Sequence, residues 1–294
     1  MNNYILLAVS MSVALLGGIG SKYYISHYNQ GEHTNHIYNT VTGFVSVLVL
    51  IFWNGHFKIS AFTLFLALLF GAVTAVQRVF SLKAMKIGPW SYTAVIASLS
   101  TIIPTLSGAV IWNENVSAVQ ICGIALMLIC MCLASDLKKD TSKKSVRWMV
   151  YCGIVFLMTG MIGVLQKWHQ STSYSGELGE FLIVSLFISC VFTGIYAFKT
   201  RKEENAVENR RSIITFLPLV IMVVSGITVA VNNRLNLFLS GVLDSSVMFP
   251  IVNGGGLMLT TLAATLIFKE RLSKRQWIGL GLGMVAVILL CNPF

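Results

Sequence analysis

Four side-chain amides and one guanidinium stand inside otherwise apolar stretches of this chain: Gln77, Asn232, Asn233, Asn253 and Arg78. An amide donates and accepts at once, and a guanidinium presents five donors in a planar fork; such groups recognise polar solutes without making or breaking bonds. Hydroxyls flank them at helical spacing. Gly71, Thr74, Arg78 and Ser81 follow one another at three, four and three residues, with Gln77 beside them, and Ser225, Thr228, Asn232 and Asn236 at three, four and four. Each set traces one face of a helix. Two further stripes, Ser91, Ser98, Thr105 and Ser246, Asn253, Thr260, recur every seven residues.

Polar groups are costly in hydrocarbon and turn towards a bundle interior or water. The four stripes predict a shared polar cavity with Thr74, Gln77, Arg78, Ser98, Asn232, Asn233 and Asn253 as candidate substrate-binding residues. The competing role for the hydroxyls and amides is helix-helix adhesion, at about 0.6 to 2 kcal/mol per contact without any ligand. Arg78, about one turn from the end of its run, has two fates open to it: holding a carboxylate or phosphate by two hydrogen bonds, or snorkelling to the interface. Arg234 is expected to snorkel.

No catalytic residues are expected. There is no H-E-x-x-H, no pair of aspartates within an apolar run and no Ser/His combination there. The six cysteines lie in apolar runs with no C-x-x-C, and the five histidines fall at run ends and in loops, so neither a metal nor a cofactor is expected. No Asp or Glu lies mid-run, since Glu114, Glu177, Glu180, Asp244 and Glu270 all stand at run ends. A buried carboxylate to carry protons or hold a cation is therefore missing, and the inventory leans towards neutral, zwitterionic or anionic solutes.

The elements that must position these groups are membrane helices. Hydrophobic residues make up 55% of the chain and charged ones 11%, with a mean hydropathy of +0.76, against roughly 25% charged residues in soluble domains. Ten runs long enough to cross a bilayer lie at 3–21, 36–53, 59–80, 89–112, 116–135, 148–168, 179–198, 212–234, 245–268 and 274–292. Loops after odd-numbered runs hold seventeen of the 21 Lys and Arg, the even-numbered loops and helix ends only Lys58, Lys167 and Arg234, and Arg78 lies inside the third run. Cytoplasmic loops collect cations, so both termini are expected on the extracytoplasmic side. The net charge of +10 is thereby explained as topology signal, with no nucleic-acid partner.

The chain also repeats itself. W-N-E-N-V-S-A-V-Q-I-C-G from Trp112 and F-K-E-R-L-S-K-R-Q-W-I-G from Phe268 align Glu114 with Glu270, Ser117 with Ser273, Gln120 with Gln276 and Gly123 with Gly279. In each copy the serine can cap the next helix, the glutamine completes a capping box, and the glycine admits a neighbouring helix. The glutamates are expected as capping or interfacial anions, with substrate coupling as the alternative. G-G-I-G from Gly17 matches G-M-I-G from Gly160, and G-A-V-T-A-V-Q-R from Gly71 matches G-I-T-V-A-V-N-N from Gly226. Each half then holds five spans, and because five is odd the second half enters the membrane inverted. Inverted repeats of this kind build many secondary transporters.

Two E-x-x-S-x-x-Q-x-x-G junctions closing the fourth and ninth of ten helices make the chain resemble the drug/metabolite transporter superfamily, specifically its EamA type. The resemblance covers essentially the whole chain. It implies an all-α membrane protein with a first repeat at 1–135, a basic cytoplasmic linker at 136–147 and a second repeat at 148–294. It further implies helices 1 to 4 and 6 to 9 around a central cavity, helices 5 and 10 outside it, and a monomer in a bacterial plasma membrane transporting a small organic metabolite, amino acids among them. The partners implied are that solute and the membrane lipids. A multidrug or cation exporter, a lipid flippase and a non-transporting scaffold remain the alternatives. Pro104 stands where the family has its fourth-helix proline, whereas Pro250 comes earlier in the ninth helix. Gly17, Gly20, Gly160, Gly163 and the triplet Gly254, Gly255, Gly256 are hinge or close-packing candidates, the triplet being a poor helix former.

Overall fold

Within the described residues the apolar runs fold as helix, interrupted where proline removes a donor or where the chain must turn. The computed structural model describes residues 3–28, 32–87, 90–134, 146–204, 216–268 and 273–291, and no strand occurs among them. The helices are α1 (Asn3–Tyr28), α2 (Glu32–Asn54), α3 (Ala61–Ile87), α4 (Trp90–Leu99), α5 (Ile102–Ile111), α6 (Ala118–Ala134) and α7 (Val146–Gln170). After a 3-10 turn at Ser175–Glu177 come α8 (Leu178–Glu204), α9 (Phe216–Val242), α10 (Ser245–Pro250), a π turn at Ile251–Gly255, α11 (Gly256–Phe268) and α12 (Lys274–Cys291).

Eight helical stretches are long and apolar enough to cross a membrane, the stretch Ser245–Ile267 among them; the expected fourth and fifth spans are shorter apolar helices over Ile96–Ile111 and Ala118–Leu133. The fourth is also broken. Pro104 has no N–H to offer the Ser100 carbonyl, which accepts instead from Ile103 at 3.0 Å, and Thr101 N–H turns back to Ser98 O at 3.2 Å. The ninth stretch carries Pro250 at the end of α10 and widens into the π turn directly after it. Neither is the continuous rod on which a seven-residue stripe depends.

Helix ends follow local chemistry. Gly55 with φ +66° stops α2, and Asn113 with φ +51° stops α5, the left-handed residue that ends many helices. Both expected capping boxes form. Gln120 N–H donates to Ser117 Oγ at 3.2 Å and Ser117 N–H to Gln120 Oε1 at 3.0 Å; in the second copy Ser273 N–H donates to Gln276 Oε1 at 2.9 Å and Gln276 N–H to Ser273 Oγ at 3.4 Å.

The helices pack as α1 with α9, α3 with α7, α2 with α8 and α9, α3 with α8, α5 with α7 and α10, α1 with α11, and α6 with α12. Two apolar cores result. One gathers Leu7, Met127, Met131, Met248, Phe249 and Leu290 around α6, α10 and α12. The other gathers Leu50, Leu66, Phe70, Val73, Leu165, Phe181, Leu182 and Leu237 among α2, α3, α7, α8 and α9.

Close approach depends on glycine at two positions. A Cβ on Gly71 would stand 2.7 Å from Ser185 O and 2.8 Å from Ile188 Cβ; one on Gly226 would stand 2.9 Å from Thr42 O and 2.6 Å from Val45 Cβ. Both distances lie inside van der Waals contact, so no larger residue fits without moving backbone.

Candidate functional site

A cavity of about 290 Å³ opens among α1, α2, α3 and α9. α1 contributes Val13, Ala14, Gly17, Gly18 and Ser21; α2 contributes Tyr38, Asn39 and Thr42. Arg78 enters from α3, and Ser225, Thr228, Val229 and Asn232 from α9. Small residues on α1 make the room: Gly17 and Gly20 lie against Thr228 and Ser225, while a Cβ on Gly18 would meet nothing within 4 Å. The Tyr38 hydroxyl lies beside Ser21 and Ser225.

Arg78 supplies the charge. Among the described residues none forms a hydrogen bond or an ion pair with its guanidinium. The nearby Cys190 thiol of α8 carries no full negative charge to balance it. α1, α3 and α9 contain no Asp or Glu, and α2 holds only Glu32 at its first position. A cation this enclosed in a membrane segment normally finds an anion or marks a solute path.

Of the seven candidate binding residues, the structure brings Arg78 and Asn232 to the cavity and leaves five outside its lining. Thr74 is buried on α3 with its hydroxyl unpartnered, and Gln77 is half-buried beside it. Asn233 turns its amide back to Val229 O at 2.8 Å. Ser98 lies near the end of α4, and Asn253, in the π turn, donates to Thr101 Oγ1 at 3.2 Å, joining the two broken stretches. The cavity lining includes no stripe residue of the fourth and ninth stretches: Thr105 and Thr260 bond back to Thr101 O and Gly256 O within their own turns, and the buried Ser246 hydroxyl has no partner among the described residues. Asn232 Oδ1 lies 3.0 Å from Ser10 Oγ, and Asn236 Oδ1 lies 2.6 Å from the same hydroxyl. One proton cannot serve both, so the second amide must present its NH₂.

The glycine triplet is not an unwound segment. Gly254 packs on the Met127 sulfur and Gly255 on the Met11 sulfur, with Gly256 opening α11. Gly160 abuts Ile103, and Gly163 abuts Pro104 and Phe249, fixing α7 to α5 and α10. Gly123 meets Leu289 and Leu290 of α12, as its packing role requires, and Gly279 is buried. Arg234 does not simply snorkel: its guanidinium lies over the Trp53 ring at 4.8 Å, with Nη1 buried and unpartnered.

A second polar cluster sits where α5, α7 and α10 meet. The left-handed turn at Asn113 folds Glu114 back so that its N–H reaches Gly108 O at 3.1 Å. The Glu114 carboxylate then accepts from Ser245 N–H at 2.7 Å and Ser245 Oγ at 3.2 Å, at the start of α10. Lys167, near the end of α7, closes the cluster through Glu114 and through Leu243 O at 3.0 Å. Gly108 makes the space, since a Cβ there would run into the Glu114 carboxylate. The anion thus caps a helix far away in sequence, and its partner is a lysine that the charge count treated as a stray on the outer side. Glu270, its counterpart in the second junction, lies outside the described residues.

No family model matches the chain. An uncharacterized protein of Haemophilus influenzae is 26% identical over 201 residues, 65% of this chain and 63% of that protein's own length. The chain therefore spans just under two thirds of that relative. A solved crystal structure superposes with a TM-score of 0.75 over 98% of this chain and 96% of the other, at 10% identity. The fold is thus shared with a protein of nearly the same extent, and at that identity only the fold is.

Proposed function

We propose that the protein is a secondary transporter, driven without ATP, that moves a small organic metabolite through the α1–α2–α3–α9 cavity by alternating access. In this reading ten spans form an inverted five-plus-five repeat of the EamA type, in a bacterial plasma membrane, with both termini outside the cytoplasm. The observation that carries it is the pair Gly71 and Gly226. Gly226 follows Gly71 by 155 residues, and the groups that crowd them, Thr42 O with Val45 and Ser185 O with Ile188, are themselves 143 residues apart in both cases. Gly17 and Gly160, in the first and sixth spans, stand at that same 143.

Exchange of halves also permutes the helix packing. α1 with α9 becomes α7 with α3, α2 with α9 becomes α8 with α3, and α1 with α11 becomes α7 with α5, all of which occur. The pairs α2 with α8 and α6 with α12 map onto themselves. A scaffold has no need of such a relation, whereas a carrier that exchanges the conformations of its halves does.

Departures from the symmetry support the same reading. The positions equivalent to Tyr38, Asn39, Ser225 and Thr228 in the cavity are Phe181, Leu182, Phe70 and Val73, and these are packed together in an apolar core. One side of the pseudo-axis is open, and its mate is sealed. Likewise Gly17 and Gly20 face α9, while Gly160 and Gly163 face α5 and α10 instead of α3.

The test is flux. Purified protein in sealed proteoliposomes should accumulate or release a labelled solute with saturation kinetics and counterflow. Lipid scrambling without solute movement would favour the flippase alternative, and neither activity would favour the scaffold.

A further inference from the structure

We infer that the α1–α2–α3–α9 cavity is a binding site for a small monocarboxylate, amino acids included, and that the Arg78 guanidinium holds the carboxylate. Its physiological meaning rests on the transporter reading, but binding itself requires no flux and is measured separately.

Charge decides the ligand class. The cavity lining has one full charge and no acid, and of the helices that wall it α1, α3 and α9 hold no acid while α2 holds only Glu32, six residues before Tyr38. The unsatisfied fork matches a carboxylate in two parallel hydrogen bonds, a stronger and more directional match than any neutral oxygen offers. A cation lacking a carboxylate would enter against this charge with nothing to compensate it.

Size and lining narrow the class. Ligand pockets run from roughly 300 to 1,000 Å³, so a cavity of about 290 Å³ fits a metabolite and not a drug-sized molecule. Val13, Ala14 and Val229 give an apolar wall for a hydrocarbon tail, while Asn39 and Asn232 offer neutral acceptors that tolerate an ammonium without requiring one. A second carboxylate would find no second cation there.

The experiment uses purified full-length protein in detergent. Its thermal stability is recorded with a panel of small monocarboxylates and amino acids, each paired with its own carboxamide, and with inorganic phosphate and chloride as separate arms. A ligand bound only by the folded state raises the transition temperature. At least one acid should stabilise while its amide does not. Arg78→Ala should weaken that ligand by roughly tenfold or more, the loss of a charge-assisted hydrogen-bonded pair, and Arg78→Lys should recover little.

Gly18→Leu gives an independent check. Its added side chain points into free space, so the variant should fold as before and yet lose binding through occupation of the cavity. The inference is overturned if no acid binds, if amides bind as well as acids, if only phosphate or chloride stabilises, or if the bound acid is indifferent to both Arg78→Ala and Gly18→Leu. Carboxylate binding without any flux in proteoliposomes would sink the transporter reading and leave the site standing.

Discussion

The Lys167 ammonium stands 2.6 Å from the Glu114 carboxylate, and less than a tenth of either side chain is exposed. The pair ties the loop after α5 to α7 and, through Ser245 and Leu243, to the start of α10. Segments of both halves of the sequence are thus pinned at one end of the bundle by a single ion pair.

Breaking one side of that pair should be expensive. Removing one partner of a buried, hydrogen-bonded pair costs about 3 to 5 kcal/mol, because the survivor keeps its desolvated charge. Lys167→Met and Glu114→Gln should each lower the apparent melting temperature in detergent, Lys167→Met more, since it strands the carboxylate. The double variant should be more stable than Lys167→Met alone. Additive losses would mean that the two residues act independently.

Gly71→Ala and Gly226→Ala should destabilise by similar amounts, about 1 to 3 kcal/mol each for overpacking, because each inserts a methyl against a carbonyl oxygen and a β-branched side chain. Gly18→Ala, with nothing within 4 Å, should be neutral. Chemical unfolding in mixed micelles compares the three. A neutral Gly226→Ala beside a damaging Gly71→Ala would count against equivalent packing in the two halves.

Cysteine accessibility separates the cavity from the helix-helix contacts. With the native cysteines replaced, single cysteines at Asn39, Asn232 and Gly18 should react with a small aqueous thiol reagent, and those at Thr74, Thr105 and Ser246 should resist. Equal rates at both sets would mean that water reaches the fourth and ninth stretches after all.

Orientation follows from cations and is tested by fusion. Seventeen of 21 Lys and Arg fall in loops after odd-numbered runs, so a reporter active only in the cytoplasm should be silent after Phe294 and active when inserted in the 136–147 linker. The reverse pattern would invert the assignment.

Much of this was legible in the sequence because the signals are local. The apolar runs located the helices, and S-x-x-Q spacing located both capping boxes, since a capping box needs only residues three apart. The stripes on α3 and α9 pointed to Arg78 and Asn232 because those helices run unbroken past the cavity. The stripes through Ser98 and Asn253 do not reach the lining of this cavity, and a seven-residue period keeps one face only in a continuous helix. The Pro104 break and the π turn after Pro250 each reset the register.

The contribution of α2 was missed although Tyr38, Asn39, Thr42 and Ser46 carry the same three-to-four spacing, and Ser10, Gly17 and Ser21 on α1 would have matched it. The Glu114–Lys167 pair had no readable signal. Its members are 53 residues apart, one in the loop after α5 and the other on α7, and only the reversal of the chain at Asn113 brings them together.

In the proposed carrier, the sealed mate of the cavity sets a kinetic signature. If the halves exchange conformations, the solute leaves a wall of Tyr38, Asn39, Ser225 and Thr228 for one of Phe181, Leu182, Phe70 and Val73, and Arg78 is answered by Asn233. Such a carrier half-saturates at different concentrations on its two faces, with tighter engagement where the polar wall is exposed. Detailed balance then requires the orientational equilibria of the empty and the loaded protein to differ by a compensating amount, because a solute shifts an equilibrium only by its differential affinity for the two states. Unequal walls therefore cannot pump. In the proposed carrier they would tilt the orientation of the empty or of the loaded protein, whichever holds the compensating bias, and so decide which of the two crossings limits turnover.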